Sequence, residues 1–131
     1  MMALTMTMDG TVYTTGKLLL SMVYDNRVSG FLDGLSWVRL DWPRAAPGTF
    51  DQTTGQITFE LEHGQSWTCA AFLPGSSCTI TVTSYGTKDG DIVAGTFSGT
   101  LVRDMGAAGP ATRALTNGSF WIRQPCLPCG L

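Results

Sequence analysis

The residues of this 131-residue chain with intrinsic reactivity are four cysteines, a single histidine and two pairs of closely spaced carboxylates. Cys126-Leu127-Pro128-Cys129 is a C-x-x-C motif. Redox motifs of that kind sit at a helix N-terminus, whose field lowers the thiol pKa. Here Pro125 precedes the motif and Pro128 lies inside it, so no helix is expected to follow. Zinc would need two further ligands, and Cys69 and Cys78 have a spacing unlike a second knuckle. The expected role is structural: a tail disulfide, a bridge to the Cys69/Cys78 region, or unpaired thiols. Cys69 and Cys78 flank the turn-like stretch Phe72-Leu73-Pro74-Gly75-Ser76-Ser77 and would come within disulfide reach across a hairpin. Two buried free thiols are the alternative.

Nucleophilic catalysis of the Ser-His-Asp or Cys-His kind would have to use His63, which lies in a Glu62-His63-Gly64 turn where a polar residue needs no functional reason. Glu60 and Glu62 are two apart on a strand pattern, hence roughly 6.5–7 Å from each other, a separation inverting glycosidases use. Any outward strand face can carry such a pair, and no cleft is implied. Asp89 and Asp91 around Gly90 would suit a calcium loop, but they suit an ordinary turn as well. No catalytic centre, cofactor or metal is expected from these residues.

The aromatic residues carry more information. Strand phasing puts Trp42 and Trp67 with aliphatic residues in the core. It puts Trp37 beside Arg39 and Asp41, and Trp121 in phase with Ser119 and Arg123. Tyr85 continues the Thr79-Thr81-Thr83 face. Solvent-facing Trp and Tyr stack on sugar rings or anchor protein interfaces, because each offers a rigid apolar face at low entropic cost. Trp37, Tyr85, Trp121 and Arg123 are therefore the candidate ligand-binding residues; the bland alternative buries them under a loop or a second sheet. The alternating hydroxyls Thr79-Thr81-Thr83 and Thr96-Ser98-Thr100 suit a flat face for polysaccharide, ice or subunit stacking, or plain β-favouring solvent faces.

Strands must position these side chains. Leu4 to Met8 alternates apolar residues with threonine, and Asp9-Gly10 is a tight-turn signal before Thr11-Val12-Tyr13. Lys17 to Tyr24 reads as a strand bounded by Gly16 and Asp25-Asn26, and residues 31–34 as a bend. Leu35 to Trp42 is a strand ended by Pro43. Residues 44–48 and 51–55 read as connectors. Ile57 to Glu62 alternates cleanly and reverses at His63-Gly64 into Gln65 to Phe72. Cys78 to Tyr85 carries Cys78, Ile80 and Val82 on its core face. A strand around Phe97 and Leu101, a small-residue loop at 105–111 and a last strand at Gly118 to Arg123 complete the chain. Short connections favour an antiparallel meander. With no amphipathic helix to cover a greasy face, the expected class is all-β with little or no helix: an antiparallel β-sandwich, or alternatively a β-barrel.

Bulk properties agree. The length suits one domain, expected over 1–124 with a C-terminal C-x-x-C tail at 125–131. Charged residues are only 14% and glycines number 16, a balance that suits short strands and turns. A net charge of −2 with scattered Lys and Arg leaves no basic stripe for nucleic acid. The run Leu18-Leu19-Leu20 is far too short to cross a bilayer. Met1 to Met8 lacks the basic segment and apolar core of a secretory signal, so either the chain stays in the cell or a signal was removed.

Gly95-Thr96-Phe97-Ser98-Gly99-Thr100-Leu101, followed by Leu115-Thr116-Asn117-Gly118-Ser119-Phe120, resembles the C-terminal half of small bacterial β-sandwich proteins of unknown function, many of them envelope lipoproteins. Pro47-Gly48-Thr49-Phe50 resembles the element that commonly precedes that ending. The resemblance implies a sandwich and an envelope or secreted setting, and brings no catalytic residues; the lipidation signal of that group is missing here. The expected function is a non-enzymatic binding or adhesion module for a carbohydrate or protein ligand, secreted or in the envelope, with the cytoplasm or a virion as other settings. The alternatives are a structural subunit of a homo-oligomer and a small glycoside hydrolase using Glu60 and Glu62.

Overall fold

The computed structural model of the chain describes residues 3–15, 18–21, 26–32, 36–61, 64–88, 90–105 and 110–123. They form β1 (Ala3–Met8), β2 (Thr11–Thr15), β3 (Leu18–Ser21), β4 (Asn26–Phe31), β5 (Ser36–Trp42), β6 (Gly48–Asp51), β7 (Gln56–Leu61), β8 (Gln65–Cys69), β9 (Ser77–Tyr85), β10 (Ile92–Met105) and β11 (Thr112–Arg123). All pairings among these strands are antiparallel, and the sheet curls into a half-barrel with no helix among the described residues. The all-β antiparallel class is the one expected. The two facing layers of a sandwich are here portions of one curled sheet.

The order β2-β1-β11-β10-β8-β7-β5-β4-β3, with β9 and β6 branching from β10, departs from a simple meander. β1 closes onto β11, so the first and last strands are neighbours. The terminal strands of the path, β2 and β3, are joined through residues 16 and 17 alone, which limits the gap from Thr15 to Leu18 to about 10 Å. The sheet must therefore curl until its two ends approach. Tyr13 of β2 reaches Phe59 of β7, with ring centroids 6.0 Å apart. The D-G signal is the predicted tight turn, with Asp9 and Gly10 both at positive φ (51° and 85°).

β10 is the spine. One edge pairs along its length with β11; the other is shared, residues 93–100 pairing with β9 and residues 102–105 with β8. β8 and β9 thus follow one another along the same edge, with the 70–76 loop looping out between them. Cys69 and Cys78 meet there as a disulfide with Cα atoms 6.2 Å apart. The bridge was expected across a hairpin; instead it ties two strands that run in line. Closing a loop of this length contributes about 2–3 kcal/mol by restricting the unfolded chain.

β10 and β11 interlock through reciprocal pairs, Gly95 opposite Phe120 and Phe97 opposite Gly118. A Cβ on Gly118 would lie 2.5 Å from the Phe97 carbonyl oxygen and 2.6 Å from its ring. One on Gly95 would overlap the Thr81 carbonyl oxygen and sit 2.9 Å from the Phe120 ring. Each phenyl ring therefore lies over the backbone that its partner glycine leaves bare. The rings lead into the core: Phe97 and Phe120 are 6.3 Å apart and Phe120 stacks on Trp42 at 5.7 Å.

A β-bulge makes this compatible with the rest of β11. Thr116 and Asn117 together oppose Ser98, and Asn117 adopts φ 52°, a left-handed conformation that Asn tolerates better than most residues. The extra residue switches the phase, so Leu115 before it and Phe120 and Ile122 after it all point inward. Replacing Gly118 with Ala is expected to lower stability by about 1–3 kcal/mol through overpacking, read as a reduced midpoint in urea with an unchanged m-value.

Candidate functional site

The register places hydroxyl side chains across the outward surface of five strands. Thr5 (β1) opposes Ser119 (β11), Ser119 opposes Thr96 (β10), Thr96 opposes Thr81 (β9) and Thr81 opposes Thr49 (β6). With strands about 4.8 Å apart this row runs roughly 19 Å across the sheet. Ser98, Thr79 and Asp51 form a second row beside it. Thr49 and Thr81 share a hydroxyl contact at 3.5 Å, whereas Ser119 and Thr96 are exposed with no protein partner for their hydroxyls among the described residues. The Thr49 and Thr5 ends of the row carry no signal in a single-strand reading; only strand register joins them to it.

Trp121 lies on this same surface, one row along, between Ala3 of β1 and Ala94 of β10. These small neighbours leave its half-buried ring unscreened from the sides. Arg123 lies over the ring at 5.2 Å and its Nη1 donates to the Gly90 carbonyl at 3.0 Å, which fixes the guanidinium. Phasing anticipated both placements.

Trp37 is also on the outer surface, but elsewhere. Its row runs through Glu60 and Ser66 to Met105, whereas the Trp121 row crosses β10 at Ala94, roughly 35 Å of strand away. Arg39 lies 5.8 Å from the Trp37 ring centroid and donates from Nε to Asp41 at 3.1 Å; Arg27 Nε donates to the other carboxylate oxygen at 2.6 Å. The predicted pair Trp37 and Trp121 therefore belongs to two separate patches, one charged and one hydroxyl-rich.

Glu60 is outward on β7, but Glu62 and His63 lie outside the described residues, as do Cys126, Cys129 and Asp89. Asp91 closes its turn by accepting the Lys88 N–H at 3.1 Å. No group of three or more metal-ligating side chains gathers among the described residues. No helix among them is long and apolar enough to cross a membrane.

Comparison with protein-family models, with curated proteins and with solved structures finds no match. The surface itself is what bears on function.

Tyr85 corrects the phasing. β9 has its own bulge: Ala94 opposes Ser84 while Gly95 opposes Val82, leaving Thr83 as the extra residue. Thr83 turns its hydroxyl to the Ala94 carbonyl at 3.1 Å. The phase reverses after it, so Tyr85 leaves the threonine face and packs edge-on against Trp42 at 6.3 Å, against the core. Burial pushes its phenol pKa above the ordinary value. The folded state then holds the proton more tightly than the unfolded chain. Stability is thus complete below pH about 10 and falls as pH rises from there through the raised pKa. Tyr85→Phe is expected to flatten this alkaline decline, as read by urea midpoints between pH 8 and pH 11.

Proposed function

We propose that this protein is a non-enzymatic carbohydrate-binding module that meets extended polysaccharide on the outward surface of β1, β11, β10, β9 and β6. The observation that carries the reading is the five-strand hydroxyl row with Trp121 one row away and Arg123 over its ring. Hydroxyls with no internal partner exchange hydrogen bonds with sugar hydroxyls at little desolvation cost, since both sides donate and accept. An indole flanked by alanines offers a ring for the apolar face of a sugar, and the fixed guanidinium adds a directional donor. The strands hold this surface rigid before any ligand arrives, so little ordering entropy is lost on contact. A secreted or envelope setting fits, because a disulfide persists in an oxidising compartment.

A second reading, a homo-oligomeric structural subunit, is favoured by one feature. β2 is a terminal strand of the sheet path, carries no charged residue, and leaves Val12 65% exposed. Charges and prolines usually blunt such an edge. This reading requires a concentration-dependent oligomer in light scattering that Val12→Lys disperses; a wild-type monomer at high concentration sinks it.

For the binding reading, retention on a panel of insoluble polysaccharides is the test. Trp121→Ala is expected to weaken retention about tenfold with the urea midpoint nearly unchanged. Equal retention of variant and wild type, or no retention on any polysaccharide, overturns it.

A further inference from the structure

Where the sheet divides at β10, the end of β5, the turn before β7 and the loop after β8 leave a cleft of about 260 Å³. None of the candidate ligand-binding residues Trp37, Tyr85, Trp121 and Arg123 lines it. Pockets that enclose drug-sized molecules run roughly 300–1,000 Å³, so this one suits a single ring-sized group.

Its walls differ in character. Asp41 and Gln56 are cross-strand partners, with Thr54 beside them on the turn. Pro43, Ala71 and Phe72 supply apolar surface. The Asp41 carboxylate accepts one guanidinium N–H on each oxygen, from Arg27 and from Arg39, which holds it in place; two guanidinium groups against one carboxylate leave the trio with a net positive charge. Each oxygen keeps a lone pair for a further donor. The Gln56 carboxamide has no partner among the described residues and both donates and accepts.

Phe72 is 66% exposed, an unfavourable position for a phenyl ring unless something covers it. Its loop is nonetheless tightly held. Ser76 Oγ has the Leu73 and Ala70 carbonyls at 2.7 and 3.0 Å to share its single proton and accepts from the Ala70 N–H at 3.2 Å. The Leu73 N–H reaches the Ala70 carbonyl at 3.1 Å, and the Cys69–Cys78 disulfide closes the loop at its base. An exposed aromatic on a rigid loop is a preorganised contact.

We propose that this cleft binds one pyranose ring of a neutral sugar, its C–H face on Phe72 and its hydroxyls on Asp41, Gln56 and Thr54. An apolar wall opposite a carboxylate and a carboxamide matches the two-faced chemistry of a pyranose, and the Asp41 oxygens, held by both arginines, present fixed acceptors to its hydroxyls. The site deepens the carbohydrate reading and rests on it for ligand class. It places a second, ring-sized contact beyond the β6 end of the extended face, where the Thr53 N–H of the cleft donates to Asp51 at 2.9 Å.

The test is a ¹⁵N-correlation titration of the full chain with methyl glycosides of glucose, galactose, mannose and N-acetylglucosamine. Saturable shifts are expected with at least one of them at the amides of 53–56 and 70–72. They weaken roughly tenfold in Phe72→Ala and in Gln56→Ala, and persist in Trp121→Ala. No saturable shift with any glycoside, or shifts that survive Phe72→Ala and Gln56→Ala alike, overturns the cleft. Polysaccharide retention that still depends on Trp121 would then leave the extended face standing alone. Glycoside shifts without polysaccharide retention would leave the cleft as a monosaccharide site and remove the extended face.

Discussion

The contact on which the rest of the structure depends is the crossed pairing of Gly95 with Phe120 and Gly118 with Phe97. Two bare stretches of backbone accept two phenyl rings, and the rings extend the contact to Trp42. Trp42 belongs to β5, four strands away from β11 along the path β11-β10-β8-β7-β5, so the stack spans the interior of the curl. Glycine is needed for space here: the Cβ positions are filled by backbone carbonyl and ring atoms. The same interlock brings Ser119 and Thr96 into register on the outer side, because each is one residue from a member of the crossed pairs. Core packing and surface hydroxyl pattern are two sides of one ladder.

β10 then divides the fold. Because β8 and β9 share one edge of it, the sheet splits into a β9-β6 arm and a β7-β5-β4-β3 arm. The disulfide spans the point where the ladder is interrupted, and the loop it closes carries Phe72 outward. The hydroxyl surface lies on the first arm and its neighbours β10, β11 and β1, the charged Trp37 patch on the second, and the small cleft where they part.

The β1–β2 turn is tied to β11 by an ion pair that lies against the aromatic lining. Arg113 of β11 lies over Trp67 at 4.1 Å and Phe59 at 5.5 Å, and its Nη1 donates to Asp9 at 3.1 Å. Asp9 also accepts the Ala114 N–H at 2.8 Å, so the β1–β2 turn is fastened to β11 through one carboxylate. Trp67 spends its own N–H on the Pro110 carbonyl at 2.8 Å. A guanidinium lying over aromatic faces keeps much of its electrostatic stabilisation despite lost hydration. This explains how a half-barrel accommodates an arginine against its aromatic lining.

Much of the architecture was legible in one dimension, and for a local reason. Alternation alone identifies Ile57 and Phe59, Cys78, Ile80 and Val82, and Trp42 and Trp67 as interior, because side-chain direction in a strand has period two. It places Trp37, Trp121 and Arg123 outside. Asp9-Gly10 declares its turn because few residues accept positive φ. What alternation cannot carry through is a bulge, which adds a residue and reverses the phase; Tyr85 was misplaced for that reason, and Leu115 and Phe120 face the same way only because of another. β4 and β6 have no strand signal in the sequence, where only their ends touch the bend at 31–34 and the connectors at 44–48 and 51–55, since short strands with glycine take their identity from a neighbour's hydrogen bonds. The hydroxyl row and the Phe72 cleft bring together residues far apart in the chain. Composition determined that this chain is a β-protein of strands and turns; register between distant strands, set by packing across the core, decided which of its surfaces became sites.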